Sequence, residues 1–221
     1  MKACIFDLDG VIVDTAKYHY LAWKEIAAEL GFEFTERDNE LLKGVSRMAS
    51  LDILLSIGGV DLCEEEKLKL ADKKNQIYLS YITKMTSGEV LPGVRDFLNA
   101  LHRNGIKVAL GSASKNAKTI LKQVGIEKMF DAIADGTNVT KAKPDPEVFL
   151  KGAELLGLSS EDCIVFEDAV AGIEAAHQAG MKCVGVGNRE ILRTADVVMA
   201  DFTQIKIENG ELVINGEIIN F

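Results

Sequence analysis

Residues 4–15 read CIFDLDGVIVDT, an apolar run that ends in two aspartates, two positions apart, followed by a glycine. A carboxylate at the tip of a buried strand is costly unless its charge serves a purpose there. Residues two apart on a strand point to the same side, so Asp7 and Asp9 face one site if the strand continues that far. The stretch therefore predicts a buried first strand over residues 2–8 that delivers two carboxylates to one place.

The second half of the chain alternates short apolar runs with helical patterns. Continuous apolar runs with polar ends are typical of strands that are buried on both faces. Strands are predicted at 106–112, 163–168, 182–187 and 197–201, and helices at about 93–104, 114–124, 146–156 and 169–179. A glycine follows each helix, as at many helix C-caps: Gly105, Gly125, Gly157 and Gly180. Strand–helix alternation with right-handed crossovers predicts an α/β fold with a three-layer parallel sheet, which the first strand joins.

Residues 16 to about 85 follow a different pattern, because they show helical periodicity and no convincing strand. The segment SGEVLPGV at 87–94 leads back from this region, and its glycines and proline mark it as a linker. We therefore predict two domains: a body formed by residues 1–14 and 91–221, and an inserted α-helical cap formed by residues 15–90.

The C-terminal segment 205–221 alternates apolar and polar residues around two Asn-Gly pairs, at 209–210 and 215–216. Asn-Gly between alternating runs is a strong signal for a β-hairpin. A small antiparallel meander is predicted here, and its expected role is packing.

The composition limits the classes of partner. The chain has 221 residues and a net charge of −9, which argues against nucleic acid and anionic membrane surfaces as partners. The four cysteines form no C-x-x-C pair, so we expect buried free thiols in a reducing compartment. The sequence shows neither a signal peptide nor an apolar run of about 20 residues, and a soluble, cytoplasmic protein is expected.

Charged and hydroxyl side chains follow several of the predicted strands. Beyond Asp7 and Asp9 they are Ser112, Ser114, Glu167 and Asp168, with Lys143 in the loop before a helix. In open α/β sheets, ligands bind beyond the carboxyl ends of the strands. The sequence therefore predicts that four carboxylates, two hydroxyls and one ammonium group converge at one edge of the sheet.

Such a cluster predicts a cation and an anion. Two carboxylates about 4 Å apart repel each other by about 4 kcal/mol at an effective dielectric constant of about 20. Mg²⁺ relieves this repulsion, prefers oxygen ligands and commonly binds a substrate phosphate, for which Ser112 and Lys143 are suitable partners. An EF-hand is excluded because Gly10 occupies the fourth position of the DLDG run instead of the sixth. The GVGN run at 185–188 lacks the third glycine of a dinucleotide-binding turn.

Four motifs together resemble those of the haloacid dehalogenase superfamily of phosphotransferases. They are FDLDGVIVDT at 6–15, GSASKN at 111–116, Lys143-Pro144, and FEDAVAG at 166–172. Their order and spacing cover the whole body. The resemblance implies a doubly wound body, a helical cap, Mg²⁺ as cofactor and an aspartyl-phosphate mechanism.

The same resemblance implies roles for individual residues. Asp7 is expected to be the nucleophile and Asp9 the general acid and base, while Asp14 supports the hinge. Mg²⁺ is expected on Asp7, on the carbonyl of Asp9 and on Asp168, with Glu167 as a direct or indirect ligand. The transferring phosphoryl group and the substrate are expected to contact Ser112, Ala113, Ser114, Lys115, Asn116 and Lys143.

Three segments of the cap resemble those of the sugar-phosphate mutases in this superfamily: YHYLAW at 18–23, LLKGVSR at 41–47 and LADKKN at 70–75. A mutase must hold a second phosphate, and an acidic protein needs a local basic patch for it, such as Lys43 and Arg47. The candidate substrate-binding residues in the cap are His19, Trp23, Lys43, Gly44, Val45, Ser46, Arg47, Lys74 and Asn75. The alternatives are solvated surface charges for Lys43 and Arg47, a structural role for His19 and packing for Trp23. The hairpin-like tail departs from the helical end expected in this superfamily.

The function implied is a mutase that interconverts β-glucose 1-phosphate and glucose 6-phosphate through a phospho-Asp7 enzyme and a 1,6-bisphosphate intermediate. Its partners are then a small phosphorylated sugar and that bisphosphate, and a monomer is expected. One alternative is a sugar-phosphate phosphatase on the same body, in which water replaces the second sugar hydroxyl. Another is a phospho-accepting signalling receiver, against which the long helical insertion argues.

Overall fold

A computed structural model describes residues 1–42, 45–208 and 210–219. The chain forms two compact units: Met1–Asp14 together with Thr86–Phe221, called the body below, and Thr15–Met85, called the cap. The second boundary lies five residues before the expected one. Val90 pairs with Val13 in an antiparallel bridge, and the Leu91 amide donates to the Ile12 carbonyl at 2.9 Å. These bonds attach the returning segment to the body.

Six parallel strands of the described residues form the sheet of the body. They are β1 (Ala3–Phe6), β2 (Lys107–Gly111), β3 (Ala132–Ala134), β4 (Cys163–Glu167), β5 (Lys182–Val186) and β6 (Val197–Met199). The order across the sheet is β3-β2-β1-β4-β5-β6. Strand β1 is therefore central, and the residues that follow it lie between the ends of β2 and β4.

The sequence did not predict β3, which has only three residues. Its approach to β2 is fixed by Asp131, whose amide donates to the Val108 carbonyl at 2.8 Å. The Asp131 carboxylate also accepts a hydrogen bond from the Val108 amide at 2.8 Å. A side chain thus replaces part of the strand ladder, and no hydrophobic run marks the strand in the sequence.

The cap is helical, as its pattern predicted. Its helices are α1 (Ala16–Glu29), α2 (Glu36–Asn39), α3 (Arg47–Gly58) and α4 (Glu64–Ile82). Helix α3 begins after Ser46, whose hydroxyl accepts from the Ala49 amide, and ends at Gly59 with φ of 62°. A separate hydrophobic core, which includes Trp23, Phe34 and Leu54, holds the cap helices together.

Four helices of the body flank the sheet and confirm the predicted positions within a few residues. They are α5 (Val94–Arg103), α6 (Ala117–Gln123), α7 (Glu147–Leu156) and α8 (Val170–Gln178). The four glycines predicted as C-caps have φ between 69° and 74°, a left-handed conformation that glycine adopts without strain.

An aromatic cluster anchors the strands that carry the acidic residues. Phe6 on β1 and Phe166 on β4 are register partners, and their rings stack with centroids 4.8 Å apart. Phe97 and Phe202 pack on both rings at centroid distances of 5.5–6.2 Å. Phe6 and Phe166 immediately precede Asp7 and Glu167. Close packing of the rings therefore fixes the backbone from which these carboxylates project.

The C-terminal segment forms the predicted antiparallel meander. Its strands are β7 (Ile205–Glu208), β8 (Glu211–Ile214) and β9 (Glu217–Ile219), paired in that order. Asn215 and Gly216 both have positive φ, as a type I′ turn requires. Asn209 of the other Asn-Gly pair lies outside the described residues.

Two further features bear on the sequence predictions. Cys4, Cys163 and Cys183 are buried free thiols, whereas Cys63 at the start of α4 is exposed, so burial of all four was wrong. Along residues 1–42, 45–208 and 210–219, no helix combines the length and the apolar character that a bilayer crossing requires.

Candidate active site

The site lies at the carboxyl ends of β1, β2 and β4. Strand β1 ends at Phe6, before the predicted residue 8, and the Asp7 amide donates to the Phe166 carbonyl at 3.0 Å. Beyond Asp7 the chain turns at Gly10, with φ of 78°, and Asp9 bridges to Val13. Asp9 thus belongs to a turn, and the prediction that the first strand reaches residue 8 was wrong.

Lys143 connects two of the strand-end carboxylates. Its Nζ donates to Asp7 Oδ1 and to Glu167 Oε1, both at 2.5 Å. The three side chains are 9%, 11% and 1% exposed, respectively. Burial alone would lower the pKa of Lys143, but the two carboxylates outweigh it and raise that pKa above its usual range. The ammonium group therefore stays charged and holds Asp7 on the side of β4.

Glu167 is the most deeply buried of these carboxylates. Burial raises its pKa, and so does the charge of Asp7, while Lys143 acts in the opposite direction. Its Oε2 accepts from the Ala169 amide at 2.8 Å. Gly172 on α8 makes room for it, because a Cβ at that position would lie 1.9 Å from Glu167 Oε1. Both oxygens of Glu167 are therefore engaged with the protein.

The pKa of Asp168 shows the effect of burial and of neighbouring negative charges most clearly. Burial, together with the charges of Asp7 and Glu167, raises its pKa to about 8, and Asp9 adds to the effect. Its carboxylate lies against the turn after β1, since a Cβ on Gly10 would approach Asp168 Oδ2 to 2.0 Å. Asp168 is therefore next to the Asp7–Asp9 segment and has an unfavourable negative charge there.

The segment Ser112–Asn116 follows β2 and provides hydroxyl groups at the neighbouring strand end. Ser112 is 2% exposed, and its Oγ accepts from the Ser114 amide at 3.2 Å. The Ser114 Oγ accepts in turn from the Asn116 amide at 3.2 Å. Each hydroxyl can still donate its proton, which suits it to a phosphate oxygen. Ala113 and Lys115 are exposed.

Gly136, in the loop after β3, supports this segment from behind. Its amide donates to the Ser114 carbonyl at 3.3 Å. A Cβ at this position would lie 2.3 Å from the Ala113 carbonyl oxygen and 2.9 Å from the Lys115 nitrogen. Only glycine allows the two loops to approach so closely, and the position of Ser112–Asn116 depends on that approach.

The donor set fits Mg²⁺. Among the described residues no three His, Cys, Asp or Glu side chains are already arranged to hold a metal ion between them. The expected site needs only two carboxylates, those of Asp7 and Asp168, and the carbonyl of Asp9, with water completing the shell. The raised pKa of Asp168 indicates a position where a cation would be favourable. Glu167 is occupied by Lys143 and Ala169, which suits an indirect role.

The cap contains a second polar cluster. His19 and Trp23 lie one turn apart on α1, and Lys74 of α4 contacts both of them. Lys74 Nζ lies 2.8 Å from His19 Nδ1 and 4.7 Å from the Trp23 ring centroid. Burial, then the charges of Lys74 and Arg47, hold the pKa of His19 well below its usual value. His19 is therefore a neutral imidazole beside a cation.

Arg47 begins α3 and is partly buried in the cap. Its Nη2 donates to Asn75 Oδ1 at 2.8 Å, so two of the predicted substrate-binding residues are in contact. Burial lowers the pKa of Arg47, against the opposing charge of Asp72. Val45 and Ser46 are exposed just before the helix. Lys43 and Gly44, which were predicted to bind the substrate, lie outside the described residues.

Sequence reasoning missed three glycines that shape the site. Gly10 and Gly172 lie within the first and fourth motifs, so their place beside Asp9 and Glu167 was a usable signal. Gly136 gave none, because its role depends on a contact between loops that sequence spacing does not reveal.

Comparison with known proteins gives the class of the chain. Residues 1–180 match the haloacid dehalogenase-like hydrolase family, and the chain belongs to that family. It is 45% identical to the β-phosphoglucomutase of Bacillus subtilis (strain 168) over 210 residues, or 94% of this chain and 93% of the relative.

Two further relatives differ in their named activities. A crystal structure of β-phosphoglucomutase from Clostridium difficile superposes with a TM-score of 0.88 at 46% identity, covering 94% of each chain. A phosphorylated carbohydrates phosphatase of Thermotoga maritima is 32% identical over 82% of this chain and 83% of its own length. The proteins similar to this chain therefore include both a mutase and a phosphatase by name.

Proposed function

We propose that the protein is a Mg²⁺-dependent mutase that interconverts β-glucose 1-phosphate and glucose 6-phosphate. The observation that carries the proposal is the contact of Lys143 Nζ with Asp7 Oδ1 at 2.5 Å, beside Asp168. This contact supports a role for Asp7 as nucleophile, because a phosphoryl group bound beside Asp7 would also meet the positive charge of Lys143. The two relatives named β-phosphoglucomutase support the choice of substrate.

Asp7 is the nucleophile of the proposed reaction. One of its carboxylate oxygens forms a bond to phosphorus while the bond from phosphorus to the sugar oxygen breaks. Asp9 donates a proton to that leaving oxygen. In the other half, Asp9 accepts a proton from the free hydroxyl of a sugar monophosphate, whose oxygen forms a bond to phosphorus as the bond from phosphorus to Asp7 breaks. This half forms the 1,6-bisphosphate, which exchanges its two ends before its other phosphoryl group passes to Asp7 and the monophosphate product leaves.

The charge of the phosphoryl group is balanced by residues from two strand ends and one loop. Lys143 and the Ser112 hydroxyl interact with its oxygens, with Ser114 and Asn116 beside them. A bound Mg²⁺ would supply further positive charge to balance the negative charge of the transferring group. Asp7, Asp168 and the carbonyl of Asp9 would hold it, and Glu167 keeps Lys143 in place. The exposed Ala113 and Lys115 contribute through the backbone of the segment.

The cap residues bind the sugar and the phosphate that does not react. Arg47 offers a planar fork for an anion, oriented by its bond to Asn75. Lys74 provides a buried cation held by His19 and Trp23. We place the enzyme in the cytoplasm as a monomer that acts on small phosphorylated sugars.

A phosphatase on the same body is the second candidate, favoured by the similarity to the Thermotoga maritima enzyme. The two functions differ in whether a sugar hydroxyl or water accepts the phosphoryl group from Asp7. The test is to incubate the enzyme with Mg²⁺, β-glucose 1-phosphate and a trace of 1,6-bisphosphate, and to follow glucose 6-phosphate and inorganic phosphate together. We expect isomer formation to exceed phosphate release, and the reverse ratio would identify a phosphatase.

A further inference from the structure

The segment Thr140–Glu147 contains Lys143. Two carboxylates of this segment, those of Glu147 and Asp145, accept hydrogen bonds from its own backbone. The segment connects the end of the loop after β3 to the first residue of α7. Lys143 lies near its middle, and the backbone on both sides of Lys143 is bonded to side chains of the same segment. These hydrogen bonds therefore affect the position of the Lys143 ammonium group.

Glu147 accepts most of these hydrogen bonds. Its Oε2 accepts from the Lys141 amide at 2.6 Å and from the Thr140 amide at 2.9 Å. The Thr140 hydroxyl donates to the same oxygen at 3.1 Å. The Lys141 and Thr140 amides, in that order, lower the pKa of Glu147, so its carboxylate stays ionised. Hydrogen bonds to an ionised acceptor are about twice as strong as hydrogen bonds between neutral groups.

Asp145 completes the segment with weaker contacts. It accepts from the Glu147 amide at 3.0 Å and pairs with Lys141 at 3.1 Å. The Lys141 side chain is 67% exposed, and exposed ion pairs contribute little. Glu147 is thus the main connection between the backbone before Lys143 and helix α7.

Helix α7 also supports the ammonium group itself. Lys143 Nζ lies 4.8 Å from the ring centroid of Phe149, which is fully buried two residues after Glu147. A lysine side chain has a long, flexible stem, so its head is placed only as well as its backbone and its contacts allow. By fastening the backbone to α7, Glu147 keeps Lys143 in register with Phe149, Asp7 and Glu167.

We propose that Glu147 is a positioning residue for the phosphoryl-transfer site and acts through Lys143. Its two amide bonds hold the segment so that the ammonium group stays between Asp7 and Glu167, where the phosphate arrives. The inference rests on the proposed function only in that Lys143 binds phosphate, and it holds for either acceptor of the phosphoryl group.

The test uses Glu147→Ala and Glu147→Gln, with Glu154→Ala as the matched control. Glu154 lies on the same helix and contacts Lys151, with no bond to the segment. Affinity for inorganic phosphate is measured by calorimetry with saturating Mg²⁺, and thermal unfolding is recorded for each variant. Misplacing a catalytic group by about 1 Å can cost about 100-fold, so Glu147→Ala should weaken phosphate binding by about 10- to 100-fold. Glu147→Gln, which keeps an acceptor oxygen, should recover part of the loss, and Glu154→Ala should bind normally.

A double-mutant cycle with Lys143→Ala separates positioning from general stability. If Glu147 acts through Lys143, Glu147→Ala should change phosphate affinity less than about twofold once Lys143 is absent. An undiminished loss in that background would overturn the proposal. So would wild-type affinity in Glu147→Ala, or no measurable phosphate binding by the wild type. Because phosphate affinity does not depend on which acceptor is used, failure here is distinct from failure of the mutase assignment.

Discussion

Replacement of Asp168 by asparagine should stabilise the protein in the absence of divalent cations. The raised pKa of Asp168, about 8, means that the folded protein holds this proton more tightly than the unfolded chain does. The group therefore contributes most stability in acid, below its ordinary pKa of 3.8, and loses that contribution as the pH rises through about 8. Asparagine carries no charge at any of these pH values, so the variant avoids the loss.

The magnitude follows from the two pKa values. A change from 3.8 to about 8 corresponds to about 6 kcal/mol, at about 1.4 kcal/mol per pH unit. Asp168 keeps some access to water, and the surrounding charges relax, so we expect about 2 kcal/mol to be realised. Asp168→Asn should therefore gain about 2 kcal/mol over the wild type between about pH 5 and about pH 8.5.

Urea denaturation at these two pH values, with a chelator present, measures the difference. The control is Glu174→Gln, which removes an exposed carboxylate from α8. Added Mg²⁺ should stabilise the wild type above neutral pH and leave Asp168→Asn nearly unchanged, because ligands stabilise only the state that binds them. If Asp168→Asn gains no stability at the higher pH, the negative charge of Asp168 is not unfavourable in the folded protein.

Three further substitutions test separate parts of the site. Asp9→Asn should keep its affinity for Mg²⁺, since the backbone carbonyl remains, and lose about 10²- to 10⁴-fold in kcat; unchanged kcat would remove Asp9 from the proton transfer. Arg47→Ala should lose about 1.5–3 kcal/mol of transition-state binding, the range for a charge-assisted bond, and an equal loss with a substrate lacking the second phosphate would contradict its role. Gly136→Ala should lower kcat/KM by about 10- to 100-fold because its Cβ displaces the Ser112–Asn116 segment. Its control, Gly125→Ala, strains the backbone at φ of 73° but meets no atom within 4 Å, and should lower stability alone.

Much of the fold was predictable because its strands are buried on both faces. Continuous apolar runs and glycine C-caps located five strands and four helices of the body, and the Asn-Gly pairs located the meander. Strand β3 could not be predicted, since Asp131 provides through its side chain what a longer hydrophobic run provides elsewhere. The end of β1 was misjudged because Gly10 turns the chain earlier than the apolar pattern suggests.

The charged residues of the candidate site that follow the strands could be predicted from the sequence. Asp7, Glu167 and Lys143 were grouped from their positions after strands or in a loop, and the structure brings all three into contact. The support for these groups was not predictable. Gly136 acts through the close approach of two loops, which depends on tertiary packing and leaves no periodic pattern in the sequence. The proposed role of Glu147 depends on the contacts of Lys143 with Asp7 and Glu167, which tertiary packing also creates.

The most direct test of the account is whether Asp7 carries the phosphoryl group. The enzyme is mixed with Mg²⁺ and ³²P-labelled 1,6-bisphosphate, quenched rapidly in acid, digested, and the labelled peptide is located by mass spectrometry. We expect an acid-stable, hydroxylamine-sensitive label on Asp7 that β-glucose 1-phosphate removes as bisphosphate, and no label in a folded Asp7→Asn variant. A label on another residue, or isomer formation by Asp7→Asn at the wild-type rate, would contradict it.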